Sequence, residues 1–159
     1  MKANKWIDLP NLRTSRTWNC AARFNHQWIY IFYGSNGNKI VQTIERLNIM
    51  YPKSWYNIVP KIDESHDIKE AQAFQINRND ILIFGGSKYT YVFHSLAKIS
   101  EVRKTADVIN KYSNSYSGTS APIVYHDQLF AIDNQRYLHI YSIKYKTWEY
   151  FDRKMGEYL

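Results

Sequence analysis

The chain has 159 residues, of which 45% are hydrophobic, 22% charged and 16% aromatic, with only 6 glycines and 4 prolines. This composition indicates one folded domain and excludes a disordered or linker-rich chain. The formal net charge is +7, and residues 1–60 carry most of the excess. A single cysteine, Cys20, excludes an intramolecular disulfide and a two-cysteine metal motif. No apolar run reaches the roughly 20 residues of a membrane-spanning helix, so we expect a cytoplasmic protein without membrane insertion.

The first expected element is a strand over residues 5–10, around Trp6. Three short apolar runs follow, and aligning Ile29, Ile81 and Leu129 gives separations of 52 and 48 residues. Each run is preceded by a strand-like segment and a polar turn, which predicts a tight β-hairpin. The predicted hairpins pair residues 21–24 with 28–32, 71–76 with 81–84, and 121–125 with 128–132.

More strand-like pattern follows each hairpin. The predicted third strands are Thr43–Met50, Tyr91–Ile99 and Tyr137–Lys144, and the predicted fourth strands are Trp55–Val59, Thr105–Ile109 and Trp148–Phe151. Four strands in about 50 residues is the pattern of a β-propeller blade. The sequence therefore predicts an all-β fold.

The repeats resemble the Kelch family. The resemblance is carried by the Gly85-Gly86 doublet after a second strand, by the spacing of Tyr141 and Trp148, and by the order of hairpin, long loop and aromatic third and fourth strands. It extends from Trp6 to about Asp152, although only the middle repeat keeps both glycines. The resemblance implies a single partial Kelch-type β-propeller over residues 1–159, an arc of about three four-stranded antiparallel blades. The expected parts are an N-terminal orphan outer strand at 5–10 and blades at 19–60, 71–110 and 118–152.

Three blades do not close a ring, because propellers have about 4–8 blades. The flanks of such an arc would expose apolar sheet faces, which are normally buried in an interface. The arc could be completed by a second copy, completed by blades of another chain, or docked onto a larger assembly. The uneven charge and the unequal repeats favour other protein subunits in a heteromeric assembly, with a homodimer as the alternative.

Partner-binding residues are expected on the loops that join strands two and three and on those that join consecutive blades, which open on one face. Arginine and aromatic side chains are the usual anchors of protein interfaces. In related Kelch propellers this face holds acidic peptide segments, and the resemblance implies the same kind of pocket here. The candidate partner-binding residues are Arg13, Arg16, Lys39, Lys88, Tyr89, Tyr112, Tyr116 and Arg136.

No catalytic residue, metal site or cofactor is expected. The sequence has no glycine-rich phosphate loop, nucleophile elbow or paired-histidine helix, and its five histidines are scattered without ligand spacing. The function predicted is therefore a non-catalytic protein–protein interaction or scaffold component. By resemblance alone, a cytoskeletal or ciliary assembly is the expected setting.

RNA or ribonucleoprotein binding through the basic first blade is the alternative. That blade interleaves basic residues with rings, and arginines with aromatic rings bind single-stranded RNA by charge and stacking. The residues concerned are Arg13, Arg16, Arg23, Lys39 and Arg46 with Trp18, Trp28 and Tyr33.

Overall fold

The fold is all-β. The computed structural model describes residues 6–62, 68, 71–85, 89–95, 101–107, 122–132 and 136–154. These residues contain no helix, and therefore no helix that is long and apolar enough to cross a membrane. The strands in chain order are β1 (Cys20–Phe24), β2 (Trp28–Phe32), β3 (Ser35–Asn36), β4 (Lys39–Ile40), β5 (Ile44–Asn48), β6 (Tyr56–Ile58), β7 (Lys61–Ile62), β8 (Gln72–Gln75), β9 (Asp80–Phe84), β10 (Tyr89–His94), β11 (Glu101–Asp107), β12 (Ile123–Tyr125), β13 (Gln128–Ile132), β14 (Tyr137–Ser142) and β15 (Thr147–Lys154).

The strands form three larger sheets and one small hairpin. Sheet one has the order β1-β2-β5-β6 and sheet three the order β12-β13-β14-β15, and both are antiparallel throughout. Sheet two has the order β7-β11-β10-β9-β8, in which only β7 runs parallel to its neighbour. The small hairpin pairs β3 with β4. Each large sheet therefore contains one predicted hairpin and the two predicted strands that follow it.

The three predicted hairpins are confirmed as β1–β2, β8–β9 and β12–β13. Polar residues in the turns adopt the left-handed backbone, with φ of 49° at Asn25, 56° at His26 and 43° at His126. Asparagine and histidine enter that region more readily than most residues, so these turns can reverse the chain tightly without glycine.

Two expectations about strands were wrong. Residues 6–10 form no strand, and the side chains of Trp6 and Ile7 project into solvent. The amino-acid pattern of residues 6–10 resembles a strand, but their backbone is not paired with any described strand. Tyr89 and Thr90, expected in a loop, instead begin β10, because they pair with Asp107 and Ala106 of β11.

The core consists of two clusters that share β9. Ile81 and Ile83 pack in the first cluster, against sheet one, whereas Leu82 and Phe84 pack in the second, with residues of sheet three. Successive side chains of a strand point to opposite faces. Sheet two is therefore buried on both faces, between sheet one and sheet three.

Candidate functional site

Ile123, on one face of sheet three, is more exposed among the described residues than the equivalent positions in the other two sheets. The residues opposite each other are Ala22 and Tyr30 in sheet one, Phe74 and Leu82 in sheet two, and Ile123 and Phe130 in sheet three. Ala22 is 6% exposed because sheet two covers it, and Leu82 is fully buried in the second cluster. Ile123 is 66% exposed. Within the described part of the chain, Ile123 of sheet three is therefore exposed at a position where sheets one and two each meet a following sheet.

This surface, called the sheet-three face, extends over neighbouring strands. Ile123, Phe130 and Ile140 lie opposite one another across β12, β13 and β14, and Ile132 lies opposite Leu138. Directly opposed residues project to the same side of a sheet. Tyr125, 64% exposed, lies on the same side as Ile123, two residues along β12. Ile123 and Tyr125 are the exposed members of this surface, Phe130, Ile132 and Leu138 are half-buried, and Ile140 is buried at 9% exposure. Exposed apolar side chains next to one another mark a candidate site of interaction. The residues of the sheet-three face are Ile123, Tyr125, Phe130, Ile132, Leu138 and Ile140.

The opposite end of the sheet stack is covered differently. Glu45 and Leu47 lie on the face of sheet one that points away from sheet two, and both are buried. Residues 10–16 cross this face. The indole Nε1 of Trp55 donates to the carbonyl of Pro10 at 2.7 Å. The same chain therefore covers this face of sheet one.

A buried carboxylate anchors the crossing segment. Glu45 accepts hydrogen bonds from the backbone N–H groups of Arg13 at 2.7 Å and Thr14 at 3.0 Å. It also pairs with Arg16, whose Nη2 lies 2.6 Å from Oε1. Residues 10–16 are thus held to β5 by one ion pair and by two hydrogen bonds from their backbone N–H groups.

Arg16 was predicted as a partner-binding residue on a loop, but the structure places its side chain inside the molecule. Its guanidinium is buried and is used inside the molecule. Nη1 donates to the carbonyls of Tyr33 at 3.2 Å and Thr43 at 2.8 Å, while Nη2 donates to Glu45. A guanidinium without access to solvent is not available to a carboxylate of another protein.

The other predicted residues are dispersed. Arg13 is exposed, although its Nε donates to the carbonyl of Trp55 at 2.6 Å. Lys39 in β4 and Arg136 before β14 are exposed. Tyr89 was expected on a loop and is instead half-buried in β10, where it packs against the first cluster. Lys88, Tyr112 and Tyr116 lie outside the described residues.

A cleft of about 1360 Å³ runs between the edge strands β1 and β8. Polar side chains crowd one end of it. The Nη2 of Arg23 lies 2.7 Å from His26 Nδ1, and Asn25 exchanges two hydrogen bonds with Gln75. Arg78 also lines this end of the cleft. The cleft thus has a basic, hydrogen-bonding mouth at the hairpin turns.

A smaller cavity of about 240 Å³ lies at the same end of sheet one. Sequence reasoning selected Trp28 and Arg46 among the RNA-binding candidates, and the structure brings these two together. It missed Tyr51, Lys53 and Tyr56, although the alternation of rings with lysine in residues 51–56 was a signal. The lining residues are Trp28, Arg46, Asn48, Tyr51, Lys53 and Tyr56.

The single thiol is not placed for nucleophilic chemistry. Burial raises the pKa of Cys20 to about 12, from an ordinary value of 9.0. The thiolate is the reactive form, so the thiol of Cys20 is inert at neutral pH. No group of three or more potential metal-ligating side chains occurs in the described part of the chain.

Comparison with known proteins bears on the fold. No protein-family model and no curated protein matches the chain in sequence. Solved structures do match, among them one titled "Structure of YjhT", with a TM-score of 0.75 and 10% sequence identity. The match covers 99% of this chain and 58% of that one, so the chain spans little more than half the length of that neighbour. At such low identity the likeness concerns the fold alone, which the two chains share.

Proposed function

We propose that the chain is a non-catalytic protein-interaction component, built as an incomplete Kelch-type β-propeller. Sheets one, two and three are its successive blades, and a sheet of another protein subunit packs on the sheet-three face. The observation that carries this proposal is the exposure of Ile123, at a position equivalent to the covered Ala22 of sheet one. The partner's sheet would pack on sheet three in the way that sheet three packs on sheet two.

The partner should bring an apolar β-sheet face. The second cluster supports this, because Leu82 and Phe84 of one sheet pack with Leu129 and Ala131 of the next. At the margin of the sheet-three face, Glu149 lies opposite Ile140 and is exposed. A lysine or arginine of the partner would fit beside this carboxylate.

A different protein fits better than a second copy. For a second copy to continue the stack, its sheet one would have to meet the sheet-three face. That side of sheet one is already crossed by residues 10–16, held by the buried pair of Arg16 and Glu45. Displacing the segment would leave the Glu45 carboxylate without its partners, which is costly for a buried charge.

Site-specific photo-crosslinking tests the proposal. We would place a benzoylphenylalanine at position 123, on the sheet-three face, and at position 145, which is an exposed turn on the same sheet. The full chain would be expressed in its native cells, and adducts would be identified by mass spectrometry. We expect position 123 to give a stoichiometric adduct with one other protein, and position 145 to give none.

Binding to the identified protein would then be measured with purified components. Ile123→Lys should weaken it at least tenfold, since it places an unpaired charge in the interface, whereas Tyr145→Lys should not change it. An adduct of the chain with itself would overturn the heteromeric part of the proposal. Equal binding by Ile123→Lys and the unmodified chain would overturn the use of this face.

A further inference from the structure

The cavity at the turn end of sheet one is remote from the sheet-three face and has a chemistry of its own. We propose that it binds an unpaired base of a single-stranded nucleic acid. Trp28 begins β2, Arg46 and Asn48 lie in β5, and Tyr56 begins β6. The loop between β5 and β6 supplies Tyr51 and Lys53.

The strand register explains why these side chains converge. Trp28 lies opposite Asn48, and Arg46 lies opposite Tyr56, so all four project to one side of the sheet. Asn48 Oδ1 also accepts from the backbone N–H groups of Met50 and Tyr51, which starts the loop in a fixed direction. The strands and this capped turn therefore hold the cavity in shape before any ligand arrives.

The arginine provides a planar stacking surface. The Cζ of Arg46 lies over the Trp28 ring, 4.6 Å from its centre, which is a cation–π contact. The Nε of Arg46 is buried and meets no hydrogen-bond acceptor among the described residues. Guanidinium planes and aromatic rings are the groups on which proteins stack unpaired bases. A base that enters the cavity would meet Arg46 beside Trp28 and add to this group of planar side chains.

Two tyrosines provide further ring surface. Tyr51 is 73% exposed and Tyr56 is 50% exposed, and both line the cavity. Exposed aromatic rings of this kind bury apolar area only when a ligand arrives. The cavity, at about 240 Å³, is smaller than the roughly 300–1,000 Å³ of sites for drug-sized molecules. It therefore suits one base rather than a larger ligand.

The charge around the cavity suits a phosphate backbone. Arg46 and Lys53 line it, and none of its described lining residues is acidic. Arg23, His26 and Arg78 lie at the same turn end, at the mouth of the cleft between β1 and β8. Strands within a sheet lie about 4.8 Å apart, so three spacings, about 14 Å, separate β1 from β6. Arg23 and Arg78 therefore add positive charge on the β1 side of the base site, along which a strand of nucleic acid can continue.

A phosphorylated peptide is the competing ligand class, since it also carries an anion and can carry a ring. The cavity favours the nucleic acid because three aromatic rings and a planar cation offer more stacking surface than a phosphate group uses. The affinity for a phosphorylated peptide would depend on the charge of Arg46, whereas the affinity for a base would depend on the planar shape of its guanidinium.

Fluorescence anisotropy with labelled 12-nucleotide oligouridine and oligoadenine RNA tests the proposal. We expect binding that weakens steeply with salt, as phosphate contacts release counterions. Tyr51→Ala should weaken it about tenfold, within the range that loss of one stacked base produces. Arg46→Lys should weaken it by a similar factor with little change in the salt dependence, because it keeps the charge and removes the plane.

Matched controls lie elsewhere on the surface. Tyr145→Ala removes a similarly exposed tyrosine from sheet three, and Lys146→Gln removes an exposed cation from the turn between β14 and β15. Neither should change affinity more than twofold. Absence of RNA binding by the unmodified chain would overturn the proposal, as would equal losses in Tyr145→Ala and Tyr51→Ala. Tighter binding of a phosphotyrosine peptide than of RNA, unaffected by Arg46→Lys, would also overturn it.

Discussion

The Nη2 atom of Arg16 lies 2.6 Å from Oε1 of Glu45, and neither side chain is accessible to solvent. The two residues are 29 positions apart and belong to the N-terminal segment and to β5. Burying two charges is costly, and it is tolerated here because further hydrogen bonds satisfy both groups. This pair attaches residues 10–16 to sheet one.

Glu45→Gln should destabilise the protein by about 3–5 kcal/mol, because it leaves the Arg16 guanidinium buried without its counter-charge. Urea denaturation followed by tryptophan fluorescence measures the change. Arg13→Gln is the matched control, since Arg13 belongs to the same segment but is exposed, and its loss should cost about 1 kcal/mol or less. Equal losses in the two variants would mean that the buried pair does not hold the segment.

Trp148→Phe should destabilise the protein by about 1–3 kcal/mol. The indole Nε1 of Trp148 donates to Oγ1 of Thr90 at 2.8 Å, and its ring lies 5.4 Å from that of Phe84. These contacts join sheet three to sheet two. Trp18→Phe, at an exposed tryptophan, should change the free energy of unfolding by less than about 0.5 kcal/mol. Thermal unfolding of both variants checks the difference, and similar midpoints would contradict it.

Gly34→Ala should be far more damaging than Gly37→Ala, although both glycines have positive φ. A Cβ at Gly34 would lie 2.4 Å from the carbonyl oxygen of Thr17, whereas one at Gly37 would meet nothing within 4 Å. We expect about 1 kcal/mol for Gly37→Ala, from backbone strain alone, and a loss of more than about 3 kcal/mol for Gly34→Ala. Circular dichroism with urea titration compares them, and equal stability would show that the backbone near Thr17 relaxes freely.

The Cys20 thiol should react with a disulfide reagent only after unfolding, because burial raises its pKa to about 12. A raised pKa stabilises the fold fully at pH values below the ordinary pKa of 9.0. This contribution is lost as the pH rises toward 12. The stability advantage of the native chain over Cys20→Ala should therefore shrink above pH 9, by up to about 1.4 kcal/mol per pH unit. Urea titrations at pH 8, 9 and 10 would show this, and a constant difference would contradict it.

Local pattern predicted the hairpins well because their determinants are local. In β1 the alternation of Cys20, Ala22 and Phe24 with polar or small residues places one face in the core, as the structure has it. In β9 the apolar residues run without alternation, and the structure buries both of its faces. Which cluster each residue joins depends on the neighbouring sheets, and no local pattern encodes that.

Residues of the candidate site were harder to predict, because their environment is set by distant partners. Arg16 looks like any loop arginine, and its internal position is set by distant partners, Glu45 near the start of β5 and the carbonyls of Tyr33 and Thr43. Residues 6–10 are largely apolar like a strand, but a strand needs a neighbour with free peptide groups. The sequence predicted apolar flanks on an arc of blades, but local pattern could not select Ile123 and Tyr125 as the exposed residues, because their exposure depends on which sheets pack on sheet three.

Because β9 contributes Ile81 and Ile83 to one cluster and Leu82 and Phe84 to the other, the two clusters cannot melt independently. A displacement of this single strand loosens the packing on both of its sides at once. Sheet one and sheet three are therefore linked through β9, and we expect them to unfold as one cooperative unit. No position between Ile81 and Phe84 offers a solvent-facing site, so a mutational scan should find this strand intolerant at consecutive rather than alternate positions.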